Sequence, residues 1–410
     1  QLIFDIDGEY ANDNPQDTNL SIRSAYPDKC TVYALNQKPG TPSRLLRLNF
    51  YEDVSSSKQV LNGLIRQSGR SSDYINNFLS VELPDIDIIE AIPDNRINDK
   101  KRAIRRIQYY WALLKKAQFP VDETRLKQII PSAGGTRQFN PGFSADLRNG
   151  AYGYGGYSTP PSPNNLVELV RELEVLTRFK RENRASPHLT TQSGNPVFDE
   201  DDNAILEFLE PQPGRSGFII IRQFRVYHAQ DAGNYREDII KLLDEGQTLI
   251  LDLGDANEEI IQYFSRQLSE AVFYHQMDKF TSNSLGNHFT QVYFEEAHNL
   301  FAANDTDEAT KIYRRFAKEG AKYNIGMVYS TQSPTTISAD LLAQTENFFV
   351  AHLASQDDVN RLSRLNIAYE SLKDDILRAK TVGYIRMLTR SHRFVVSMQA
   401  LKFTPPAQVS

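Results

Sequence analysis

The sequence predicts an α/β fold in which a mainly parallel β-sheet is interrupted by a large helical insertion. Two observations lead to this prediction. From about residue 246 to 400, short apolar runs alternate with helical segments, which is typical of βαβ units with parallel strands. From about 51 to 245, apolar residues recur at three- and four-residue spacing, which indicates amphipathic helices.

The first 50 residues contain two strand-like runs, LIFDI and LLRLNF, with a polar, turn-rich passage between them. We expect LIFDI to join the sheet of the last region. The predicted domains are therefore 1–50 as the first part of an α/β core, 51–245 as the helical insertion, and 246–410 as the second part of the core with a C-terminal tail.

The insertion contains three helical patterns, SKQVLNGLIRQ, DKKRAIRRIQYYWALLKKAQF and NNLVELVRELEVLTRFKREN. The Gly/Tyr/Pro tract at 149–165 predicts a flexible, irregular loop. In the last region the runs TLILDL, TQVYFE, IGMVYST, FFVAHL and VGYIRML are typical of strands that are buried on both faces.

Composition excludes several classes of protein. The chain has 410 residues, of which 40% are apolar and 24% charged, as in an average globular protein. No run of eighteen apolar residues occurs, which argues against a membrane span. The single cysteine, Cys30, excludes an internal disulfide and favours the cytoplasm. The net charge of −6 argues against a protein coated in nucleic acid, although it permits a local basic channel.

Polar residues follow three of the predicted strands: Asp7-Gly8-Glu9-Tyr10, Glu295-Glu296 and Ser330-Thr331-Gln332. Ligands of parallel sheets collect at the carboxyl ends of strands. A nucleoside triphosphate hydrolase needs one carboxylate for magnesium, another for the attacking water, and a polar group that senses the γ-phosphate. The alternative interpretation is that the paired glutamates only cap a strand in solvent.

Six stretches resemble, in this order, the motor domain of the HerA-type DNA translocases, which belong to the HerA/FtsK branch of P-loop ATPases. They are LIFDIDGEY, LILDLGD, VYFEEAHNLF, AKEGAKYNIGMVYSTQSPTTIS, LLAQTENFFVAHLASQDDVNRL and VGYIRML. The resemblance covers about residues 1–50 and 245–400. It implies a RecA-like P-loop ATPase core that uses ATP and Mg²⁺.

The resemblance also assigns roles to single residues. Glu295 corresponds to the metal-binding acid, Glu296 to the acid that orients water, and Gln332 to the sensor. Glu9 is a further catalytic candidate beside the nucleotide, and Asp7, Gly8 and Thr331 are candidate nucleotide-binding residues. As partners it implies a homo-hexameric ring, double-stranded DNA, and a nuclease or other effector in DNA end processing or antiphage defence.

The chain departs from these relatives in two places. Where many have Arg-Glu-Gly-Arg, it has Lys318-Glu319-Gly320-Ala321. The basic group that the family donates to a neighbouring subunit then has four candidates: Arg314, Arg315, Lys318 and Lys322. Arg315 is favoured because arginine bridges phosphate oxygens better than lysine. A solvated basic helix face is the alternative.

The second departure is that the chain contains no GxxxxGK[ST] loop, which would cradle the phosphates. In the family this loop precedes the strand that resembles LIFDIDGEY and follows a small barrel. We therefore expect this chain to be the C-terminal portion of a longer protein and not to hydrolyse ATP by itself. A catalytically silent ring scaffold and a conjugation or secretion motor remain alternatives.

A basic cluster in the insertion is a candidate DNA-binding surface. Lys101, Arg102, Arg105 and Arg106 lie in one predicted helix with Tyr109, Tyr110 and Trp111. Such a cluster can neutralise phosphates with aromatic support. The alternative is a helix whose basic face is solvated while its aromatic residues pack inward.

Overall fold

The computed structural model describes residues 1–14, 20–129, 132–191, 193–230, 232, 235–301, 307–392 and 394–403. The chain divides into two compact units. The first, here called the core unit, consists of the described residues of Gln1–Leu46 and Asn234–Ser410. The second, the helical unit, consists of those of Arg47–Gly233.

The described residues form nine strands, all of them in the core unit. They are β1 (Leu2–Asp5), β2 (Cys30–Ala34), β3 (Arg44–Leu45), β4 (Thr248–Asp252), β5 (Thr290–Phe294), β6 (Ile325–Tyr329), β7 (Phe348–Val350), β8 (Tyr384–Leu388) and β9 (Val396–Gln399).

The α-helices are α1 (Ile22–Ala25), α2 (Val54–Gln67), α3 (Asp73–Ser80), α4 (Ile86–Glu90), α5 (Ile97–Lys116), α6 (Glu123–Ile129), α7 (Ala145–Tyr154), α8 (Leu166–Glu182), α9 (Glu200–Leu209), α10 (Phe218–Arg222), α11 (Tyr235–Asp244), α12 (Glu258–Thr281), α13 (Asp307–Glu319), α14 (Ala339–Ala343), α15 (Gln356–Leu365) and α16 (Lys373–Arg378). Short 3₁₀ turns lie at Asp94–Arg96, Pro187–Leu189, Gln223–Tyr227, Ala297–Asn299, Gly320–Tyr323, Pro334–Thr336 and Ile367–Leu372.

Strands β1 to β6 form one parallel sheet in the order β3-β2-β4-β1-β5-β6. The helical unit is inserted between β3 and β4 of this sheet. The predicted fold class, an α/β fold with a mainly parallel sheet and a large helical insertion, is confirmed.

One face of the parallel sheet packs through aromatic rings. Phe4 and Phe294 stack with ring centroids 5.0 Å apart, and Phe294 contacts Tyr313 and Phe316 of α13. All four side chains are at most 3% exposed. Because burying such a ring stabilises a fold by roughly 1.5–3 kcal/mol, this layer fixes the position of the strands that carry the acidic residues.

The sheet differs from the prediction at its β2–β3 side. The run LLRLNF was expected to be a full strand, but the strand there is only Arg44–Leu45, and Leu48 forms an isolated bridge with His228. Cys30–Ala34, in the polar, turn-rich passage, is a strand beside β4. The run TVYA supplies the β-branched and aromatic residues that a strand prefers. Its short length and the turn residues around it concealed it.

Strands β7, β8 and β9 form a separate antiparallel sheet, although the runs FFVAHL and VGYIRML resemble buried parallel strands. Phe349 is 62% exposed while its neighbour Val350 is buried, so the sheet covers a core on one face only. One-sided burial is usual for antiparallel sheets. Helices α15 and α16 supply that core, which contains Val359, Leu362 and Ile376.

The helical unit is organised around α5. Trp111 of this helix is fully buried and donates its indole N–H to the carbonyl of Tyr51 at 2.7 Å. The hydroxyl groups of Tyr110 and Ser57 lie 2.9 Å apart. The aromatic residues of the basic helix therefore pack inward and satisfy their polar atoms, as buried tyrosine and tryptophan residues usually do.

Helix α7 includes the first residues of the Gly/Tyr/Pro tract at 149–165. Its first turn is capped by Ser144, whose side chain accepts the amide of Leu147. Arg148 forms a buried ion pair with Glu172 of α8, with the guanidinium and carboxylate atoms 2.7 Å apart. Tertiary packing thus overrides the low helix propensity of glycine.

Among the described residues, every helix is too short or too polar to cross a bilayer.

Candidate active site

The parallel register brings acidic residues together at the carboxyl edge of the sheet. Asp5 of β1 is aligned with Asp252 of β4, and Phe4 is aligned with Phe294. Glu295, which follows Phe294, therefore lies beside Asp5. These three carboxyl groups come from neighbouring strands at the place where parallel sheets bind their ligands.

Glu295 is tied to the loop that follows β1. One carboxylate oxygen, Oε2, accepts the backbone N–H groups of Ile6 at 3.0 Å and of Asp7 at 3.2 Å. Burial raises the pKa of Glu295, although the amides of Ile6 and Asp7 oppose this. Two of the bonding positions of this carboxylate are thus used to hold the loop after β1.

Asp5 is fully buried and lies within the run LIFDI, where the sequence does not single it out. Its Oδ2 accepts the backbone N–H groups of Tyr10 at 3.1 Å and Ala11 at 2.9 Å. Its Oδ1 accepts no hydrogen bond within the described part of the chain. Burial above all, and then the charge of Glu295, raise the pKa of Asp5 to about 8. Burial and the nearby Glu295 therefore favour the protonated form of Asp5.

Glu296 has a left-handed backbone, with φ at 43° and ψ at 52°. This conformation costs a non-glycine residue about 1–2 kcal/mol, and such strain is concentrated at functional sites. The Oε1 atom of Glu296 accepts the side-chain amide of Gln332 at 2.7 Å, and Oε2 lies 3.1 Å from Nδ1 of His298. The structure thus joins two predicted site residues, Glu296 and Gln332.

The loops after β5 and β6 are also joined through their backbones. The N–H of Ala297 donates to the carbonyl of Ser330 at 2.9 Å. Thr331 accepts the N–H of Ser333 on its side-chain oxygen at 3.1 Å. Thr331 therefore shapes the turn that presents the neighbouring Gln332.

The Asp7-Gly8-Glu9 turn lies next to Glu295. Gly8 has a φ of +78°, and a Cβ atom there would lie 3.1 Å from Nδ2 of Asn12. Only glycine fits this position without strain. The side chains of Asp7 and Glu9 are exposed. The predicted Asp7, Gly8 and Glu9 thus surround the acidic pair, with their carboxylates open to solvent.

A lysine–aspartate pair beside this turn was missed by the sequence analysis. The Nζ atom of Lys38 lies 3.1 and 3.0 Å from the two carboxylate oxygens of Asp252, which is 4% exposed. Asn12 links Asp252 at 2.9 Å to the carbonyl of Gly8 at 2.8 Å. Asp252 has a recognisable position at a strand end, but Lys38 comes from an irregular segment, so the sequence contains no signal for the pair.

The basic residues of α13 are not part of this cluster. Arg315 lies over the ring of Phe273 at 4.2 Å and pairs with Glu319 at 3.3 Å. Lys318 is exposed, and Arg314 is partly buried. A crossover helix runs back toward the amino end of the next strand, so the end of α13 that carries Lys318 is directed away from the carboxyl edge of the sheet.

The predicted DNA-binding residues are engaged within the helical unit. Arg105 donates to the carbonyl groups of Pro141 and Gly142 at 2.7 and 2.9 Å. Arg106 and Arg102 both contact Asp199, at 2.7 and 3.0 Å. Lys101 is partly buried. These contacts give Arg102, Arg105 and Arg106 a structural role. The binding of DNA by the four residues stays a prediction.

The acidic cluster has the chemistry of a magnesium site that needs its substrate. In the described part of the chain, no group of three or more His, Cys, Asp or Glu side chains could hold a metal by itself. Mg²⁺ in phosphate-transfer sites is usually held by one or two carboxylates together with phosphate oxygens. The buried Oδ1 of Asp5, which has no donor, and the partly used carboxylate of Glu295 fit that description.

Comparison with known proteins adds a partial likeness. No protein-family model matches the chain. Over 173 residues, the sequence is 24% identical to a probable helicase of Methanocaldococcus jannaschii. The match covers 39% of this chain and 32% of the relative, so it spans about a third of the relative's length.

Two solved structures are similar in part. The genome packaging NTPase B204 of Sulfolobus turreted icosahedral virus 2, in complex with sulfate, is 11% identical over 38% of this chain and 68% of its own, with a TM-score of 0.30. VirB4 of Thermoanaerobacter pseudethanolicus is 13% identical over 98% of both chains, with a TM-score of 0.28. Scores this low add nothing to what the strand order already shows.

Proposed function

We propose that this chain is the catalytic core of an ATP-hydrolysing motor of the P-loop kind. The observation that carries the proposal is the contact between Glu296 and Gln332, 2.7 Å apart, beside Glu295 at the carboxyl edge of the sheet. A carboxylate and an amide from adjacent strand ends are the groups that position water and sense the γ-phosphate. The likeness to a probable helicase supports the same direction.

In the proposed reaction, Glu296 orients the water that attacks the γ-phosphate. Its strained backbone and its bond to Gln332 hold the carboxylate in one place before substrate binds. Preorganised groups of this type act without reorganising during the reaction. Loss of the γ-phosphate changes the hydrogen-bond partner of the Gln332 amide. The loop after β6, which contains Gln332, thereby responds to the presence of the γ-phosphate.

Glu295 and Asp5 would hold the metal. Mg²⁺, when bound, neutralises charge that develops on the phosphate oxygens. The N–H groups of Ile6 and Asp7 fix the carboxylate of Glu295 through Oε2. Asp5 would give up its proton where it joined Glu295 in holding the ion, since carboxylate ligands are deprotonated.

The finer identity is a HerA-type translocase that works on double-stranded DNA as a hexameric ring. In such a ring, the basic residues of α13 approach the nucleotide of the neighbouring subunit. A nuclease or another effector is the proposed partner, in DNA end processing or antiphage defence. These assignments rest on the sequence motifs described above.

Replacement of Glu296 by Gln tests the proposal. We expect the intact protein to lose ATP turnover by about 10²–10³-fold, because the amide keeps the shape and the contact with Gln332 but no longer attracts a proton of the water. Steady-state phosphate release is the measurement. Glu245→Gln, at an exposed position after α11, is the matched control and should retain full activity.

Unchanged turnover in Glu296→Gln would contradict the role of Glu296. The sequence feature that favours a second function is the lack of a GxxxxGK[ST] loop in these 410 residues. If the intact wild-type protein forms rings and does not hydrolyse ATP, a silent scaffold that recruits an effector replaces the motor.

A further inference from the structure

A buried carboxylate from the C-terminal part of the core unit holds the loop that follows β6. Asp358, in the first turn of α15, is 5% exposed. Its Oδ1 accepts the backbone N–H of Thr335 at 2.9 Å and the hydroxyl of the same residue at 2.8 Å. The hydroxyl of Ser333 lies 3.3 Å from the same oxygen. Three donors from one loop thus converge on a single carboxylate oxygen.

This loop contains Gln332, whose side chain contacts Glu296. The loop is anchored on one side by the bond between Ala297 and Ser330 and on the other by Asp358. Gln332 lies between these two anchors and is exposed. Its orientation therefore depends on how firmly the next residues, Ser333 to Thr335, are held.

Capping of α15 does not explain the contacts of Asp358. The hydroxyl of Ser355 already accepts the N–H of Asp358 at 3.4 Å, as an N-cap does. The Asp358 side chain is directed to the other loop. Burial of a carboxylate is costly unless hydrogen bonds compensate it, and here the compensation comes from the segment that presents Gln332.

We propose that Asp358 is a positioning residue for the site: it fixes Ser333 to Thr335 and so keeps the Gln332 amide against Glu296. This inference rests on the proposed ATP hydrolysis. Val359, next to Asp358, packs in the same core as Val350 and Leu388 of the antiparallel sheet. A displacement of α15 with that sheet is thereby transmitted to Gln332, and a change at Gln332 is transmitted back.

The test is a double-mutant cycle in the intact protein, with Asp358→Ala, Gln332→Ala and the double variant. We expect Asp358→Ala to lower kcat for ATP by about tenfold with little change in KM, since it disturbs an interaction needed in the transition state. The double variant should be no slower than Gln332→Ala, because both changes break one contact. Asp358→Asn, which keeps an acceptor oxygen, should restore most of the rate.

Ser355→Ala is the matched control. It weakens the start of α15 and leaves the bonds between Asp358 and the loop in place, so kcat should stay near that of the wild type. If Ser355→Ala lowers kcat as much as Asp358→Ala, or if the effects of Asp358→Ala and Gln332→Ala multiply in the double variant, the positioning role is wrong while ATP hydrolysis stands.

Hydrogen–deuterium exchange separates this inference from the proposed function. Asp358→Ala should speed amide exchange in residues 333–337 by about tenfold, and Ser355→Ala should not, whether or not ATP is hydrolysed. Faster exchange in a protein that lacks ATP turnover would keep the structural link and overturn the catalytic assignment. Unchanged exchange would overturn the link itself.

Discussion

Charged residues are organised in opposite ways in the two units of the chain. Between α5 and α9 of the helical unit, Arg106 contacts Asp199, Asp201 and Asp202 at 2.7, 3.0 and 3.5 Å, so cations and anions alternate. At the carboxyl edge of the parallel sheet, Asp5 and Glu295 lie together and are held by backbone amides. The first cluster is balanced by its own side chains, and the second concentrates like charge.

The pKa shifts express the same difference. Burial alone would raise the pKa of Asp199, but the amide of Asp202 and the guanidinium groups of Arg106 and Arg102 lower it. Burial and the nearby Glu295 raise the pKa of Asp5 to about 8. A carboxyl group whose charge is destabilised by its fold is more typical of a functional site than of a structural one. Burial also raises the pKa of Asp202, to about 6, within the helical unit, so the arginine partners, rather than the pKa shifts alone, distinguish the structural network from the candidate active site.

The largest effect on stability is expected from Arg106→Ala. This change leaves Asp199 and Asp202 without their shared cation, and the free energy of unfolding should fall by about 2–4 kcal/mol. Arg102→Ala is the control, because its side chain is 49% exposed and its ion pair is with Asp199; it should cost less than about 1 kcal/mol. Urea denaturation measures both. Equal effects of the two changes would show that the contacts of Arg106 with the three aspartates do not stabilise the packing of α5 against α9.

A smaller effect on stability is expected from a change in pH, and its sign should differ between Asp5 and Asp199. Since Asp5 binds its proton more tightly in the folded than in the unfolded chain, the stability that it contributes falls as pH rises from about 4 to about 8. Asp5→Asn should remove this dependence. Without metal or nucleotide, it should make the protein more stable than the wild type by about 1–3 kcal/mol above pH 8.

Asp199→Asn is the matched substitution in the balanced cluster. The pKa of Asp199 is lowered by folding, so its contribution to stability is present above its unfolded pKa and is lost as pH falls. The variant should be less stable than the wild type at neutral pH and lose this difference in acid. Thermal unfolding from pH 4 to pH 9 measures both variants. The same trend in both would remove the distinction between the clusters.

The fold was predictable where it depends on periodicity. Alternating strands and helices identified the parallel sheet, and helical spacing identified the insertion. Periodicity does not distinguish a parallel from an antiparallel partner, so the sheet of β7, β8 and β9 was not foreseen. Arg386 of β8 illustrates a further difficulty with this sheet. It is fully buried, and its guanidinium donates to Asp375 and to the carbonyl of Ala351. Sequence rules place arginine at the surface.

The placement of the candidate site residues was predictable where they follow a strand directly. Glu295, Glu296 and Gln332 stand at strand ends, and the parallel register brings them to one edge. Lys38 and Asp358 depend on tertiary contacts between distant segments, and a single sequence carries no periodic signal for those. Asp5 resembled an ordinary strand residue in the sequence. Its burial and its position beside Glu295 follow from the strand register, which a single sequence does not specify.

The smallest effect is expected at the predicted DNA-binding surface. Lys101 and Arg102 are the members of that group without the multiple bonds of Arg105 and Arg106, and Asp199 already offsets the charge of Arg102. We expect Lys101→Gln/Arg102→Gln to change the slope of log affinity for double-stranded DNA against log salt by less than about one, because each phosphate contact contributes about one to that slope. Lys127→Gln/Arg171→Gln, at two exposed positions of the same unit, controls for net charge. A slope that falls by about two in the first variant alone would show that this helix face binds the backbone of DNA, and that a cluster balanced by its own aspartates still serves a ligand.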